Sequence, residues 1–282
     1  MPNMVDERFE LAALIFRLAG ALPYTDLKSD YQKEVAAAFA EYAKHRAVKY
    51  AKKIKMGYDG VARFAVHIEK RDGKFVLIEN IDSLTDYGWK ARKARKLLRR
   101  LNRFYIVAGY EAFYNAHIDL FEQSTRRFID EAYGKVDLAW FGTYADPSNF
   151  RCVLSLSSGN YGVTVNDRIV YCLVFRHDVD IVVHEYCHNF ANPLADAWYQ
   201  KNAQFKRWCD DSIDPVKMPF YGNGFTMARE YVTRAYTILY GVQHGQDPGE
   251  AFIQEKDKGF KYIEQVYDMI NPKPIGGQIH AH

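Results

Sequence analysis

Apolar residues recur at helical spacing along the first part of the chain. The segment ERFELAALIFRLAG (7–20) places them three and four positions apart, and Gly20 is a residue that ends helices. A second run, from Asp30 to about Lys55, is rich in Ala and in charged residues and predicts a further helical stretch. The N-terminal part of the chain is therefore expected to be helical.

Alternating apolar and polar residues replace this pattern in two regions. VARFAVHIEKRDGKFVLIEN (61–80) contains two alternating runs around Asp72-Gly73, a pair that favours a tight hairpin turn. From Phe150 onward, RCVLSLS (151–157), YGVTV (161–165) and DRIVYCLVF (167–175) predict three more strands. The predicted helices and strands do not alternate regularly along the chain. This order predicts an α+β fold with a mixed or antiparallel sheet.

The rest of the chain returns to helical spacing. FTMAREYVTRAYTILYG (225–241) predicts one helix, a last amphipathic helix is expected from about Pro248 to Ile270, and the tail 271–282 is expected to be loose. We expect two parts. Residues 1–192 hold the N-terminal helices, the sheet and a helix with candidate chemistry, and residues 193–282 form a mainly helical subdomain.

Composition narrows the class of protein without choosing a function. Hydrophobic residues make up 48% and charged residues 26% of 282 positions, as in globular proteins. No apolar run approaches the roughly 18 residues that span a bilayer, and MPNMVDERFE lacks the layout of a signal peptide. The four cysteines are too sparse for a disulfide framework and are predicted to be free buried thiols; the alternative is that Cys152 and Cys172, both in strand-like segments, pair if they are adjacent. The mild net charge of +3 does not call for a nucleic-acid partner.

One segment is nevertheless strongly basic. WKARKARKLLRRLNRF (89–104) contains Lys90, Arg92, Lys93, Arg95, Lys96, Arg99, Arg100 and Arg103. Leu97, Leu98, Leu101 and Phe104 form an apolar stripe through it, which predicts an amphipathic helix with its basic residues in water. A nucleic-acid-associated protein that uses this helix to neutralise phosphates is the alternative.

The segment VDIVVHEYCHNFAN (179–192) carries the clearest chemistry. Residues four apart project from the same side of a helix, so His184 and His188 are placed to bind one zinc ion, and Glu185 to activate its water. Chance produces this pattern in about one chain in seventy of this composition. Asp178 or Asp180 is expected to cap the helix, and Asn192-Pro193 to end it. The predicted core-facing stripe is Val179, Val183, Tyr186 and Phe190.

A catalytic zinc ion normally takes three protein ligands and a water molecule. A histidine six residues after His188 is excluded, because Leu194 occupies that position. We favour Glu230, which lies on a later helix and away from its apolar stripe; the alternative is a surface salt bridge with Arg234. Asp196 is the second choice, and the other candidates are Asp210, Asp211, Asp214, His244 and Glu250.

With HExxH on one helix and Glu on a later one, the chain resembles the gluzincin type of zinc metallopeptidase. Its strands before the motif helix are similar to the thermolysin-type layout, which implies that an edge strand at Asn160, Tyr161 and Gly162 pairs with a peptide substrate. A simple junction between a turn and a strand is the alternative for these three residues. VDERFELAALIFRLAG (5–20), HEYCHNFANPL (184–194) and EYVTRA (230–235) also resemble a bacterial, usually exported, zincin-like family of unknown function. That resemblance implies zinc, hydrolysis and an exported or periplasmic location.

The expected reaction is hydrolysis of a peptide bond in a peptide or protein by zinc-activated water, with Glu185 as the base. Tyr231, Tyr236 and His244 are candidates for stabilising the oxyanion, and Arg234 for that role or for supporting the ligands; no spacing rule selects one of them. Asn192 either orients a ligand or closes the helix end. A catalytically silent zinc-binding interaction domain is the alternative, although metal binding alone does not require Glu185.

Overall fold

The computed structural model describes residues 4–26, 28–78, 84, 89–157, 159–165, 168–219 and 221–271, and it has the predicted α+β fold. Its helices are α1 (Glu7–Leu18), α2 (Leu22–Thr25), α3 (Asp30–Ala38), α4 (Arg46–Ile54), α5 (Tyr58–Val66), α6 (Ala91–Val107), α7 (Tyr110–Ala116), α8 (Ile118–Glu131), α9 (Leu138–Phe141), α10 (Val179–Lys201), α11 (Ala203–Asp211), α12 (Gly224–Gln243), α13 (Pro248–Lys258) and α14 (Ile263–Ile270). Its strands are β1 (Ile68–Arg71), β2 (Lys74–Leu77), β3 (Phe150–Leu154), β4 (Tyr161–Val165) and β5 (Ile169–Val174). The predicted loose tail after Asn271 lies outside the described residues.

The described strands form two small sheets. β1 and β2 pair antiparallel, and the larger sheet has the order β3-β5-β4. β5 is central in that sheet, parallel to β3 and antiparallel to β4, so the sheet is mixed. Cys152 and Cys172 are register partners on β3 and β5, and all four cysteines are free thiols, as predicted.

The chain divides into two compact units. The first comprises Met1–Asp137 with Asp146–Glu185, and the second comprises Leu138–Ala145 with Tyr186–His282. The boundary therefore falls inside α10, seven residues before the predicted division at 192. In the first unit Leu14 and Ile15 of α1 belong to the core; in the second, Val232 of α12 and Val266 of α14 do.

The predicted hairpin is present, but its first strand is shorter than expected. Asp72 and Gly73 both have positive φ, 49° and 73°, as a two-residue type I′ turn requires. The segment predicted to begin a strand at Val61 is instead the end of α5. Val61, Phe64 and Ala65 are also at helical spacing, and all three are buried. The segment therefore fits the two-residue period of a strand and the 3.6-residue period of a helix, and packing favours the helix.

The predicted end of the motif helix at Asn192-Pro193 is wrong. α10 begins after Asp178, whose carboxylate accepts from the Asp180 N–H at 2.9 Å, but the helix continues to Lys201 with Pro193 inside it. Pro193 is exposed, and Ala195 and Tyr199 extend the buried face for two more turns. Burial of that face outweighs the local cost of a proline in a helix interior.

The basic segment forms the predicted amphipathic helix. Leu97, Leu98, Leu101 and Phe104 of α6 are buried, while its basic residues are exposed or half-buried. The run predicted from Asp30 to Lys55 is divided into α3, a 3₁₀ turn and α4. Among the described helices, none is both long enough and apolar enough to cross a membrane.

Candidate metal centre

Two helices bring three potential metal ligands together. His184 and His188 lie one turn apart on α10, and Glu230 lies on α12. One ligand atom from each residue lies within 4.8 Å of those of the other two, and Nε2 of His188 is 3.5 Å from Oε1 of Glu230. All three side chains are half-buried. Two imidazoles and one carboxylate form the donor set of many catalytic zinc sites, so these residues fit a zinc ion.

Two side-chain oxygens hold the ring of His188 at Nδ1, the nitrogen that does not face Glu230. Nδ1 lies 3.0 Å from Oδ1 of Asn192 and 3.0 Å from Oγ1 of Thr233. With Nε2 assigned as the ligand atom, Nδ1 carries the proton and donates to these oxygens, which fixes both tautomer and orientation. Asn192 thus contacts His188 and lies inside α10, so it does not close the helix end. Thr233 was not predicted; its signal is its position one turn after Glu230 on the same helix face.

Arg234 holds the carboxylate of Glu230. Its guanidinium lies 3.2 Å from Oε2 of Glu230 and 2.7 Å from Oε2 of Glu255 on α13, and it stacks 4.3 Å from the centre of the Phe260 ring. Burial opposes the charge on Arg234, but Glu230, Glu255 and Tyr221 outweigh it and raise its pKa. Glu230 therefore has a geometry compatible with both predicted roles, metal ligand and salt-bridge partner of Arg234. Its Oε1 faces His188, and its Oε2 pairs with Arg234.

Glu185 follows His184 directly and precedes His188 by three residues. Its side chain is 7% exposed, so this carboxyl group is largely removed from bulk solvent. Residues three apart on a helix lie on neighbouring positions of one face. Its place on α10 fits the general base that the sequence predicts.

Other predicted residues have different surroundings. Asp196 receives two hydrogen bonds from Arg229, at 2.8 and 2.7 Å, and is not part of the ligand group. The hydroxyl of Tyr231 lies 2.6 Å from Oγ of Ser212 and accepts from the Tyr262 N–H at 3.2 Å. That hydroxyl is already engaged, so the oxyanion role predicted for Tyr231 is not supported.

Tyr236 lies in an aromatic cluster. Its ring meets those of Tyr144 and Phe190 edge to face, with centroids 5.2 and 4.9 Å apart. Burial raises the pKa of its hydroxyl, followed by smaller contributions from Tyr144 and Cys187. These contacts show a packing role for Tyr236 and leave the oxyanion-stabilising group unassigned.

The predicted substrate strand coincides with the edge of a sheet. β4 begins at Tyr161, and among the described strands it pairs with β5 alone, where Tyr161 faces Leu173 and Gly162 faces Cys172. Asn160 immediately precedes the strand, and its amide oxygen accepts from the Phe175 N–H at 2.7 Å. Asn160 therefore fixes the start of the edge strand, as the alternative interpretation of these residues as a turn-and-strand junction expects.

The chain finds no match among known protein families, curated proteins or solved structures. The resemblance to gluzincins therefore stays a prediction from the motifs quoted above. Any function assigned to the chain depends on the geometry and chemistry of its own residues.

Proposed function

We propose that the chain is a zinc-dependent hydrolase, specifically a metallopeptidase of the gluzincin type. The observation that carries this proposal is the grouping of His184, His188 and Glu230 on two helices, with ligand atoms within 4.8 Å of one another. HExxH on a helix with a third carboxylate ligand is the arrangement of a catalytic rather than a structural zinc site, since structural sites use four protein ligands.

The donor set favours zinc among the common metals. Imidazole nitrogens suit zinc and other late transition metals, whereas magnesium and calcium prefer sites built from oxygen alone. The contacts of Asn192 and Thr233 with His188 add the outer support that histidine ligands usually have. Ligand type and outer support together agree with a zinc ion.

The protein groups then have separate tasks. A zinc ion held by His184, His188 and Glu230 would supply Lewis acidity towards a water molecule. Glu185 accepts the proton of the attacking water and returns it to the leaving amine. Arg234 orients Glu230, because the guanidinium pairs with the carboxylate oxygen that does not face His188.

A peptide is the proposed substrate because β4 is an edge strand. An extended peptide adds to such an edge through main-chain hydrogen bonds, and pockets for alternate side chains give selectivity. Asn160 fixes the beginning of that strand, so Asn160→Ala is expected to raise KM for peptides more than it lowers kcat.

Digestion of a peptide library tests the proposal. The protein should cleave a subset of peptides, a chelator should stop cleavage, and added zinc should restore it. Glu185→Gln serves as the matched variant, because its side chain has nearly the same shape but cannot act as a base. Tight zinc binding without cleavage of any peptide would instead identify a catalytically silent zinc-binding domain.

A further inference from the structure

Two helices of the first unit concentrate positive charge. The first segment is 46–55 (α4 with Lys55), and the second is 90–107 (α6 with Lys90). Together they contain 13 of the 38 Lys and Arg residues and none of the 35 Asp and Glu residues. The rest of the chain has 25 basic and 35 acidic residues, a formal net charge of −10. The thirteen, called the basic face below, are Arg46, Lys49, Lys52, Lys53, Lys55, Lys90, Arg92, Lys93, Arg95, Lys96, Arg99, Arg100 and Arg103.

The charges of the two helices form one surface. α4 packs against α6, and Tyr50 of α4 lies beneath two cations of α6. Its ring centroid is 5.3 Å from Nζ of Lys96 and 4.6 Å from the guanidinium carbon of Arg100. Arg100 also donates to the backbone carbonyl of Arg46 at 3.3 Å. These contacts join the basic residues of α4 and α6 at Tyr50.

The positive charge of the basic face is not neutralised within the described part of the chain. Ten of its residues are exposed and three half-buried, and none pairs with a described carboxylate. By contrast, Arg126 and Arg127 of α8 each pair with a glutamate, at 3.6 and 2.8 Å. Burial and then the charges of Arg103 and Arg46 lower the pKa of nearby His45. The face therefore presents a net positive potential to solvent.

We propose that the basic face binds the phosphate backbone of duplex nucleic acid, without reading its sequence. α6 has 17 residues and is therefore about 25 Å long. A duplex carries one negative charge per about 1.7 Å of its axis, or about 15 over that length. The thirteen cations of the face approach this charge density, as a surface that follows a linear polyanion requires.

The packing of the two helices distinguishes a duplex from other polyanions. Single strands are held by stacking on accessible aromatic rings, but Tyr50, the aromatic residue at the centre of the face, is 8% exposed. Anionic membranes take up amphipathic helices through their apolar side, yet Ala51 of α4 and Leu101 of α6 lie in the protein core. Residues 89–104 alone predicted a solvated helix face, with nucleic-acid binding as the alternative, and the overall charge of +3 averages over this segregation.

Fluorescence anisotropy with a labelled mixed-sequence DNA duplex, measured at several salt concentrations, tests the proposal on the full chain. For the parent protein, the slope of log Kobs against log salt should be about −4 or steeper. The variant Arg92→Gln/Arg95→Gln/Arg99→Gln/Arg103→Gln should lose about three to four units of that slope, since each phosphate contact contributes about 0.9. A matched control with the same charge change replaces four exposed lysines outside the face by Gln: Lys135, Lys201, Lys217 and Lys261.

The control variant should bind as the parent does, and so should Glu185→Gln, because duplex binding is independent of the hydrolase proposal. A parent slope between 0 and −1, or equal losses in both quadruple variants, would overturn the basic-face proposal. Tighter binding of single-stranded DNA, or of phosphatidylserine vesicles, than of the duplex would also overturn it. Circular dichroism checks helix content, and the single variant Arg95→Gln, expected to lose about one unit of slope, replaces any quadruple variant that unfolds.

Discussion

The hydroxyl of Thr233 lies 3.0 Å from Nδ1 of His188, and this contact joins the two helices that carry the ligand residues. Asn192 approaches the same nitrogen at the same distance from one turn along α10. The ring is therefore held on one side, with Nε2 directed towards Glu230. A ligand group supported in this way is preorganised before any metal binds.

Removal of the Thr233 hydroxyl should weaken zinc binding while the fold is retained. Thr233→Val has nearly the same shape, and losing an outer partner of a histidine ligand typically lowers metal affinity about 10- to 100-fold. Competition with a chromophoric chelator measures the change. Thr233→Ser, which keeps the hydroxyl, should stay close to the parent; equal affinity in the Val variant would show that Thr233 does not position His188.

Glu185→Gln should keep zinc affinity and lower kcat about 10²- to 10⁴-fold, because the amide cannot accept the proton of water. The measurement needs a peptide identified by library digestion, together with the zinc content of the same samples. Undiminished turnover would eliminate Glu185 as the base. A parallel loss of zinc would assign it a different role, in building the site.

Arg234→Gln should destabilise the protein by about 1–3 kcal/mol when zinc is removed, because two half-buried carboxylates lose the guanidinium they share. Glu255 keeps Lys258 at 2.7 Å, so the loss falls mainly on Glu230. Urea unfolding in the presence of a chelator measures this. Arg126→Gln is the control, since Arg126 also pairs with a glutamate four residues away but at the surface, where about 0–1 kcal/mol is expected. Similar losses in both variants would contradict the role given to Arg234.

Glu10 of α1 should make the stability of the fold pH-dependent. The residue is 2% exposed, and burial raises its pKa above the ordinary 4.5, an effect that hydrogen bonds from the loop 155–157 only partly offset. As pH rises through 4.5 the unfolded carboxyl loses its proton while the folded one keeps it. The free energy of unfolding should therefore fall between 4.5 and the raised pKa.

Glu10→Gln should remove this contribution, because the amide does not titrate. Urea unfolding of both proteins across pH 4 to 8 measures the difference between their free energies of unfolding. Between pH 4.5 and the raised pKa of Glu10, this difference should grow by about 1.4 kcal/mol per pH unit. A difference that is constant across the range would mean that Glu10 titrates at its ordinary pKa in the folded protein.

The local parts of the site were predictable because helix geometry is fixed. A spacing of four places His184 and His188 on one side of α10 wherever that helix lies, and Glu230 was chosen from the apolar stripe of its own helix. Asp72-Gly73 likewise predicted its turn, because two residues with positive φ are needed there. In each case a short-range rule was sufficient.

The remaining features depend on tertiary packing. Arg234 reaches Glu255, 21 residues later and on another helix, and no spacing rule connects them. The extension of α10 through Pro193 depends on burial of Ala195 and Tyr199, which a local helix-breaking signal does not register. The basic face requires α4 and α6 to pack together, so the segment 89–104 alone gave only part of it.

Calorimetric titration of the metal-free protein with zinc tests the central claim most directly, namely that His184, His188 and Glu230 bind one ion. The expected result is a stoichiometry of about one, lost in His184→Ala and His188→Ala and strongly weakened in Glu230→Ala, because a catalytic zinc ion normally takes three protein ligands. Absence of zinc binding by the parent protein, or unchanged binding in the histidine variants, would contradict it.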